Sequence, residues 1–394
     1  MRTVFRNGTV ITPYRVLEES SVVIEEGRIQ YIAPDSEVDL DLSCTEVIDV
    51  GGRYIAPGFI DIHCHGGGDY DFMDGTVEAF IQASNAHLRY GTTSMLPTTT
   101  TSTTEELFKA IDSFKLARDM ERGPNLLGLH VEGPYLAYEQ RGAQDPRYIK
   151  EPSPEEYNAI LDYSDVIKRW TIAPELPGAM EMAQLLRERG IVCSIGHSDA
   201  FFDDVVRAVE SGFTHVTHLY SAMSMVRRIN AYRHAGVVES ALLLDDLTVE
   251  LIADGAHLPQ SLLQLVYKVK GPDKICLVTD SIRAATMPEG VTTLGSKEDG
   301  QVVIVEDGVA KLPDRSAFAG STCTTDRLIR TMVQLAQVPL ADAVRMLTLT
   351  PAKVLGVNDR KGSLSPGKDA DIVVFDDDIH VSLVMINGKT CYSS

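Results

Sequence analysis

Apolar positions run along this chain in two textures. At both ends they form short alternating runs. Residues 3–5 and 9–11 flank the turn Arg6-Asn7-Gly8, and residues 21–24 and 29–32 flank Glu26-Gly27-Arg28. Alternation on either side of such turns marks β-hairpins. The same texture returns over 371–375 and 381–386, followed by Asn387-Gly388. Each end alone has too few strands for a core. One small β-sandwich domain formed by both termini, from residues 1–56 and 358–394, is therefore expected.

Between them, over residues 57–357, buried-looking runs alternate with amphipathic stretches. The strand candidates are 58–65, 92–98, 126–132, 170–174, 191–197, 215–218, 249–254 and 275–280. The clearest helices are 77–90, 104–122, 179–189, 202–211 and 260–270. Repeated strand–helix units of this number and length predict an α/β fold of the TIM-like (β/α)8 barrel type. A doubly wound open sheet competes, but no Gly-x-Gly-x-x-Gly follows any strand. Two segments break the rhythm. Residues 219–247 follow the sixth strand and are rich in Arg and Met. Residues 281–323 follow the eighth and include a predicted hairpin, 301–305 with 309–312, around Asp307-Gly308. Both lie on the C-terminal side of the strands, where barrel enzymes carry substrate loops.

Composition narrows the class. A chain of 394 residues, 44% hydrophobic and 23% charged, suits one barrel plus an accessory domain. The net charge of −20 argues against nucleic acid or an anionic membrane surface as partner. An anionic substrate would need local cations or helix N-termini to overcome that field. The six cysteines are scattered, with no Cys-x-x-Cys pair, which suits a reducing cytoplasm. Neither a signal peptide nor a membrane span is expected, because no apolar run is long enough.

The chemistry sits at the strand ends. The first strand closes with His63-Cys64-His65, which alternation points to one face in the case of the two histidines. The third ends in Glu132, the fifth in His197, the sixth in His218, the seventh in Asp254 with His257 beyond it, and the eighth in Asp280. Random placement would not put His or a carboxylate at nearly every tip, and in a barrel the tips converge. Such a donor set suits one or two divalent metals such as Zn2+, with Fe, Mn or Co also acceptable. Glu132 is the natural bridging carboxylate. Asp280 is placed to take the proton of an attacking water and pass it to a leaving amine. The reading is metal-assisted hydrolysis. His87, His130, His215 and His380 are read as structural, His234 as a residue that touches substrate or nothing, and Asp61 as an acceptor supporting the His63/His65 pair.

Seven motifs carry a resemblance: Pro57-Gly58-Phe59-Ile60-Asp61-Ile62-His63-Cys64-His65-Gly66, His130-Val131-Glu132-Gly133-Pro134-Tyr135, Gly196-His197-Ser198, Thr217-His218-Leu219-Tyr220-x-Ala222-Met223, Ala253-Asp254-Gly255-x-His257, Leu277-Val278-Thr279-Asp280 and Ala319-Gly320-Ser321-Thr322. A tail, Lys361-Gly362-Ser363-Leu364 through Asp369-Ala370-Asp371, accompanies them. Together they resemble the amidohydrolase superfamily and, within it, the N-acetylglucosamine-6-phosphate deacetylases. The resemblance implies removal of acetate from an amino sugar phosphate. It implies that Glu132, His197 and His218 hold one metal, and that His63 and His65 hold a second, with Glu132 and Asp280 shared or nearby. It further implies Asp280 as catalytic base and acid, His257 as a substrate contact, and a homodimer.

The chain departs from the family at named positions. Ser221 stands beside Ala222 where Asn is usual. A longer segment carries Arg227, Arg228 and Arg233 in place of a compact phosphate-contacting motif. Arg283 follows Asp280 where small residues are usual. Gln144 occupies the place of a carbonyl-polarising histidine. These residues are the candidate substrate contacts. The alternatives are a deacetylase of another N-acyl sugar, such as N-acetylgalactosamine 6-phosphate or an unphosphorylated sugar, and a non-catalytic barrel that only binds.

Overall fold

The apolar runs of the middle of the chain become parallel strands in the structure, a computed structural model that describes residues 2–40 and 43–394. Met1, which begins both the leader reading and the 1–56 segment, lies outside the described residues. The barrel strands are Phe59–Cys64, Thr92–Thr99, Leu129–Glu132, Ile167–Ile172, Val192–Ile195, Phe213–Val216, Thr248–Ile252 and Ile275–Val278. Each pairs in parallel with the next. The eighth returns to the first where the Asp280 N–H donates to the His63 carbonyl at 2.9 Å, so the barrel is nearly closed.

Two strands differ from the sequence expectation, each for a physical reason. Gly128, at φ 155, breaks the 126–132 run, so the third strand proper begins at Leu129. The fourth begins at Ile167 rather than 170. There Lys168 points to solvent while Arg169 is fully buried. A charged pair at a strand start reads as loop, but its alternation is that of a strand.

Helices cover the outside. Thr104–Asp119 shows why they form where they do. The Thr103 hydroxyl accepts from the Glu106 N–H and the Glu106 carboxylate accepts from the Thr103 N–H, a reciprocal cap. Leu107, Ala110, Ile111 and Phe114 then fall on one buried face at helical spacing. Helices Pro154–Tyr163, Val237–Leu243, Thr325–Arg330, Leu340–Met346 and Leu349–Val354 are added to these, and none is among the expected elements.

The two ends of the chain build one mixed sheet. Its order runs Lys389–Ser393, Val381–Ile386, Ile372–Phe375, Tyr54–Pro57, Arg2–Ile11, Val16–Glu25 and Arg28–Pro34. Arg2–Ile11 pairs with Thr45–Asp49 along its first half and with Tyr54–Pro57 near its end. Phe5, Val10, Ile24, Ile55, Ile372 and Val374 form its core. Among the described residues, no helix is long and apolar enough to cross a membrane.

Phe59 ties the two parts together. It opens the first barrel strand, is fully buried, and its ring lies 6.3 Å from that of Phe375 in the terminal sheet. Phe59→Ala is expected to lower the unfolding free energy by about 3–5 kcal/mol through the cavity it leaves. Urea denaturation checks this; a loss below about 1 kcal/mol would show that the joint does not depend on this ring.

Candidate metal centre

The strand tips converge as the barrel requires, but the key residues sit just past the strands. His197, His218 and Asp280 stand two residues beyond the ends of their strands and adopt φ of 49°, 30° and 47°. These are left-handed conformations that non-glycine residues rarely hold, and they cluster where a structure over-determines them for function. The turn at each tip aims the side chain back over the barrel mouth.

Glu132 is the hub. Its Oε1 lies 3.1 Å from His218 Nε2, 3.3 Å from His197 Nε2 and 3.5 Å from His63 Nε2. Its Oε2 lies 3.3 Å from His65 Nε2 and accepts from Gln144 Nε2 at 2.6 Å. Asp280 Oδ1 is 3.2 Å from His65 Nε2 and 3.4 Å from His63 Nε2. Two ligand groups result, Glu132/His197/His218 and His63/His65/Asp280, with the donor atoms of each within 4.8 Å of one another.

The far ring nitrogens explain the orientation. His63 Nδ1 donates to Glu250 Oε2 at 3.0 Å, His65 Nδ1 to the Thr98 carbonyl at 3.2 Å, and His197 Nδ1 to the Gln140 carbonyl at 2.9 Å. A proton held on Nδ1 leaves the Nε2 lone pair facing inward. Yet His218 Nε2 is 3.1 Å from His197 Nε2, and His63 Nε2 is 3.3 Å from His65 Nε2. Two inward lone pairs at that distance repel unless a proton or a cation lies between them. Ligands on a tetrahedral ion with bonds of about 2.1 Å are about 3.4 Å apart, so the separations fit a divalent ion.

The electrostatics of the bare cluster agree. Burial opposes a charge on His63, but Asp280, Glu132 and Glu250 outweigh it and lift its pKa well above the usual value. Burial likewise opposes a charge on His65, and hydrogen bonds donated to the Asp280 and Glu132 carboxylates raise it to about 9. Burial alone would raise Glu132, but the surrounding imidazoles hold it well below the usual carboxylate range. Asp280 is lowered in the same way by His63 and His65. The site is arranged for positive charge at its centre.

Above it lies a cavity of about 590 Å³. Its floor includes His65, Glu132, His197, His218 and Asp280, and of the predicted contacts Gln144, Ser221, Ala222 and His257 line its wall. His257 Nδ1 is tied to Asp254 Oδ2 at 2.8 Å, and its ring lies 4.6 Å from that of Phe318, tilted at 47° to it. Gly320, also in the wall, has φ 69°, and a Cβ there would lie 2.7 Å from the Asp280 carbonyl oxygen. Only glycine leaves this approach open.

The arginines are placed otherwise than expected. Arg283 is buried away from the cavity, donating to Asp74 at 2.8 Å and to the carbonyls of Asp69 and Thr293. Arg227 is paired with Asp199. It opens the hairpin Arg227–Ile229 with Tyr232–His234, which carries Arg228 and Arg233 into solvent. Among the described residues, the one arginine in the cavity wall is Arg141, which stacks on Tyr138. Its signal was its place directly before Gly142-Ala143-Gln144. Asp61 accepts from Thr279 Oγ1 at 2.6 Å and from the His63 N–H, as an acceptor supporting the pair should. His130 bonds Thr171 and Thr98, His215 bonds Thr248, and His87 bonds the Gly66 carbonyl.

The model of the amidohydrolase family matches residues 54–391. An N-acetylglucosamine-6-phosphate deacetylase of Haemophilus influenzae is 34% identical over 99% of both chains. An N-acetylgalactosamine-6-phosphate deacetylase of Escherichia coli O157:H7 is 31% identical over 99% of both. A crystal structure of the N-acetylglucosamine-6-phosphate deacetylase of Pasteurella multocida superposes with a TM-score of 0.92, at 32% identity and full coverage of both chains.

Zinc uptake at neutral pH is expected to release protons, because His65 at about 9 holds one that the ion must displace. Affinity should weaken as pH falls and protons compete. Calorimetric titration in buffers of differing ionisation enthalpy reads the release, and a heat independent of buffer would overturn it.

Proposed function

The chain belongs to the amidohydrolase family, and from that premise we propose that it removes acetate from N-acetylglucosamine 6-phosphate, leaving glucosamine 6-phosphate. The cluster of four imidazoles and two carboxylates, three imidazoles and both carboxylates of which open onto a sugar-sized cavity, carries this conclusion. Full-length similarity to deacetylases of that name supports it.

We assign Glu132, His197 and His218 to one metal ion, and His63, His65 and Asp280, with Glu132 shared, to a second. Zinc is the first choice, with Fe, Mn or Co compatible with the same donors. A divalent ion supplies Lewis acidity, which acidifies water and polarises a carbonyl. Asp280 takes the proton of the attacking water on its carboxylate and delivers it to the leaving amine nitrogen. Gln144, whose amide oxygen accepts from the Thr101 N–H at 2.9 Å, orients Glu132. His257, with one ring nitrogen held by Asp254, offers the other to a substrate oxygen. Phe318 gives the sugar ring an apolar face. Arg141 is assigned to the phosphate, as the cation of the cavity wall.

The similarity to an N-acetylgalactosamine-6-phosphate deacetylase favours one second reading, the C4 epimer as substrate. Ser221, in the wall where family members carry Asn, is the residue that would make the difference. We also propose residues 57–357 as the metal-dependent unit, a β-sandwich from 1–56 and 358–394 beside it, a homodimer and a cytoplasmic setting. Exposed Ile229 and Tyr232 on the hairpin, with Met225 and Val226 just before it, support the dimer, and buried Cys64, Cys193, Cys276 and Cys323 the setting.

Zinc-loaded protein should release acetate from N-acetylglucosamine 6-phosphate with a higher kcat/KM than from its galactose epimer. The opposite order would install the second reading, and no turnover above a chelated control would end both. Asp280→Asn should remove at least about 99% of kcat while metal stays bound, because it deletes the proton carrier.

Arg141→Ala should raise KM for the phosphorylated sugar about 10- to 100-fold, the worth of one charged hydrogen bond, and leave unphosphorylated N-acetylglucosamine unaffected. Arg227→Ala, Arg228→Ala and Arg233→Ala serve as comparisons. A selective KM rise in one of those instead would move the phosphate to the hairpin.

A further inference from the structure

Beneath the cluster the barrel interior is polar where branched apolar layers are the rule. Arg169 of the fourth strand and Glu250 of the seventh have no exposed surface. Arg169 Nη1 pairs with Glu250 Oε1 and also reaches the Ile62 carbonyl of the first strand at 3.3 Å. Its Nε donates to Ser194 Oγ at 2.9 Å and its Nη2 to Thr217 Oγ1 at 2.7 Å. One guanidinium thus fastens the first, fourth, fifth and seventh strands and the turn after the sixth.

The other carboxylate oxygen looks upward. Glu250 Oε2 accepts from His63 Nδ1 at 3.0 Å and from the His218 N–H at 3.0 Å. One oxygen therefore grips a ring of one ligand group and the main chain of the other. His65 and His197 lean on main-chain carbonyls, and His218 Nδ1 has no hydrogen-bond partner among the described residues. Of the four imidazoles, His63 is the one backed outside the cluster by a carboxylate, which raises its basicity as a ligand. A buried ion pair is poorly explained by stability, since apolar replacement of both partners is often neutral or better. Orientation explains it.

We infer that Glu250, clamped by Arg169, is a positioning residue for the metal centre. It fixes His63 with its proton on Nδ1 and its Nε2 toward Glu132 and Asp280, and it holds the left-handed main chain at His218. The inference rests on the metal-binding reading above.

Chelator-competition titration of zinc into the full-length chain tests it, with two variants. Glu250→Gln weakens the grip, and the double variant Arg169→Met/Glu250→Leu removes it without stranding a buried charge. Both should bind zinc about 10- to 100-fold more weakly than wild type, while the melting temperature of the ion-free double variant stays near that of the ion-free wild type. Wild-type protein that takes up no zinc would refute the metal reading itself. Wild type and variants that bind equally tightly would refute the positioning role alone. Should the variants not fold, 15N-histidine spectra of zinc-loaded wild type still decide. A His63 proton on Nδ1 supports the inference, and one on Nε2 overturns it.

Discussion

A buried carboxylate ringed by imidazole nitrogens is the constraint on which this structure turns. Glu132 is almost fully buried, with four Nε2 atoms within 3.5 Å. Nothing in an apolar interior tolerates that density of polar groups unless charge balances charge. The barrel satisfies the demand by geometry. Strands far apart in sequence deliver donors to a common point, two from the first and one from each of the others that contribute, and the outer nitrogens of three rings are pinned so that the inner ones cannot turn away.

The same demand reaches downward and sideways. The hydrogen bond that closes the barrel, from the Asp280 N–H to the His63 carbonyl, also sets the Asp280 carboxylate beside the His63 imidazole. The Asp61 carboxyl, pushed up to about 6 by burial and held by Thr279, steadies the strand just behind. The small sheet of Gly290–Leu294, Gln301–Glu306, Val309–Lys311 and Phe318–Ser321 supplies Leu294, Phe318 and Gly320 to the cavity wall. Closure, buried carboxylate and pocket are thus parts of one arrangement.

Much of this was legible in the chain. The barrel strands declared themselves because parallel strands buried on both faces read as continuous apolar runs. The chemistry was legible because His63, His65, Glu132, His197, His218 and Asp280 each end such a run. What hid was polarity inside the barrel. Ile167-Lys168-Arg169 looks like solvent-facing chain, and only pairing across the interior shows that Arg169 is buried. Glu250 carried a fainter signal, two steps from Ile252 and four from Asp254 and so on the face that points to the mouth. Where the arginines point was not legible, because neither the nearness of Arg283 to Asp280 nor the place of the others in the segment after the sixth strand fixes a direction. Arg283 turns back to Asp74, and Asn230-Ala231, both with positive φ, fold Arg228 and Arg233 outward on a tight hairpin.

The sheet shared by the two ends has a bearing on how the molecule comes into being. Tyr54–Pro57 finds its partner in Ile372–Phe375, which leaves the ribosome roughly three hundred residues later. Until then an apolar edge stays open beside a barrel that has already begun to assemble. Nascent chains stalled late in translation would therefore expose a sticky, unpaired margin, and the cell's folding helpers have their most useful moment just before the last strands appear.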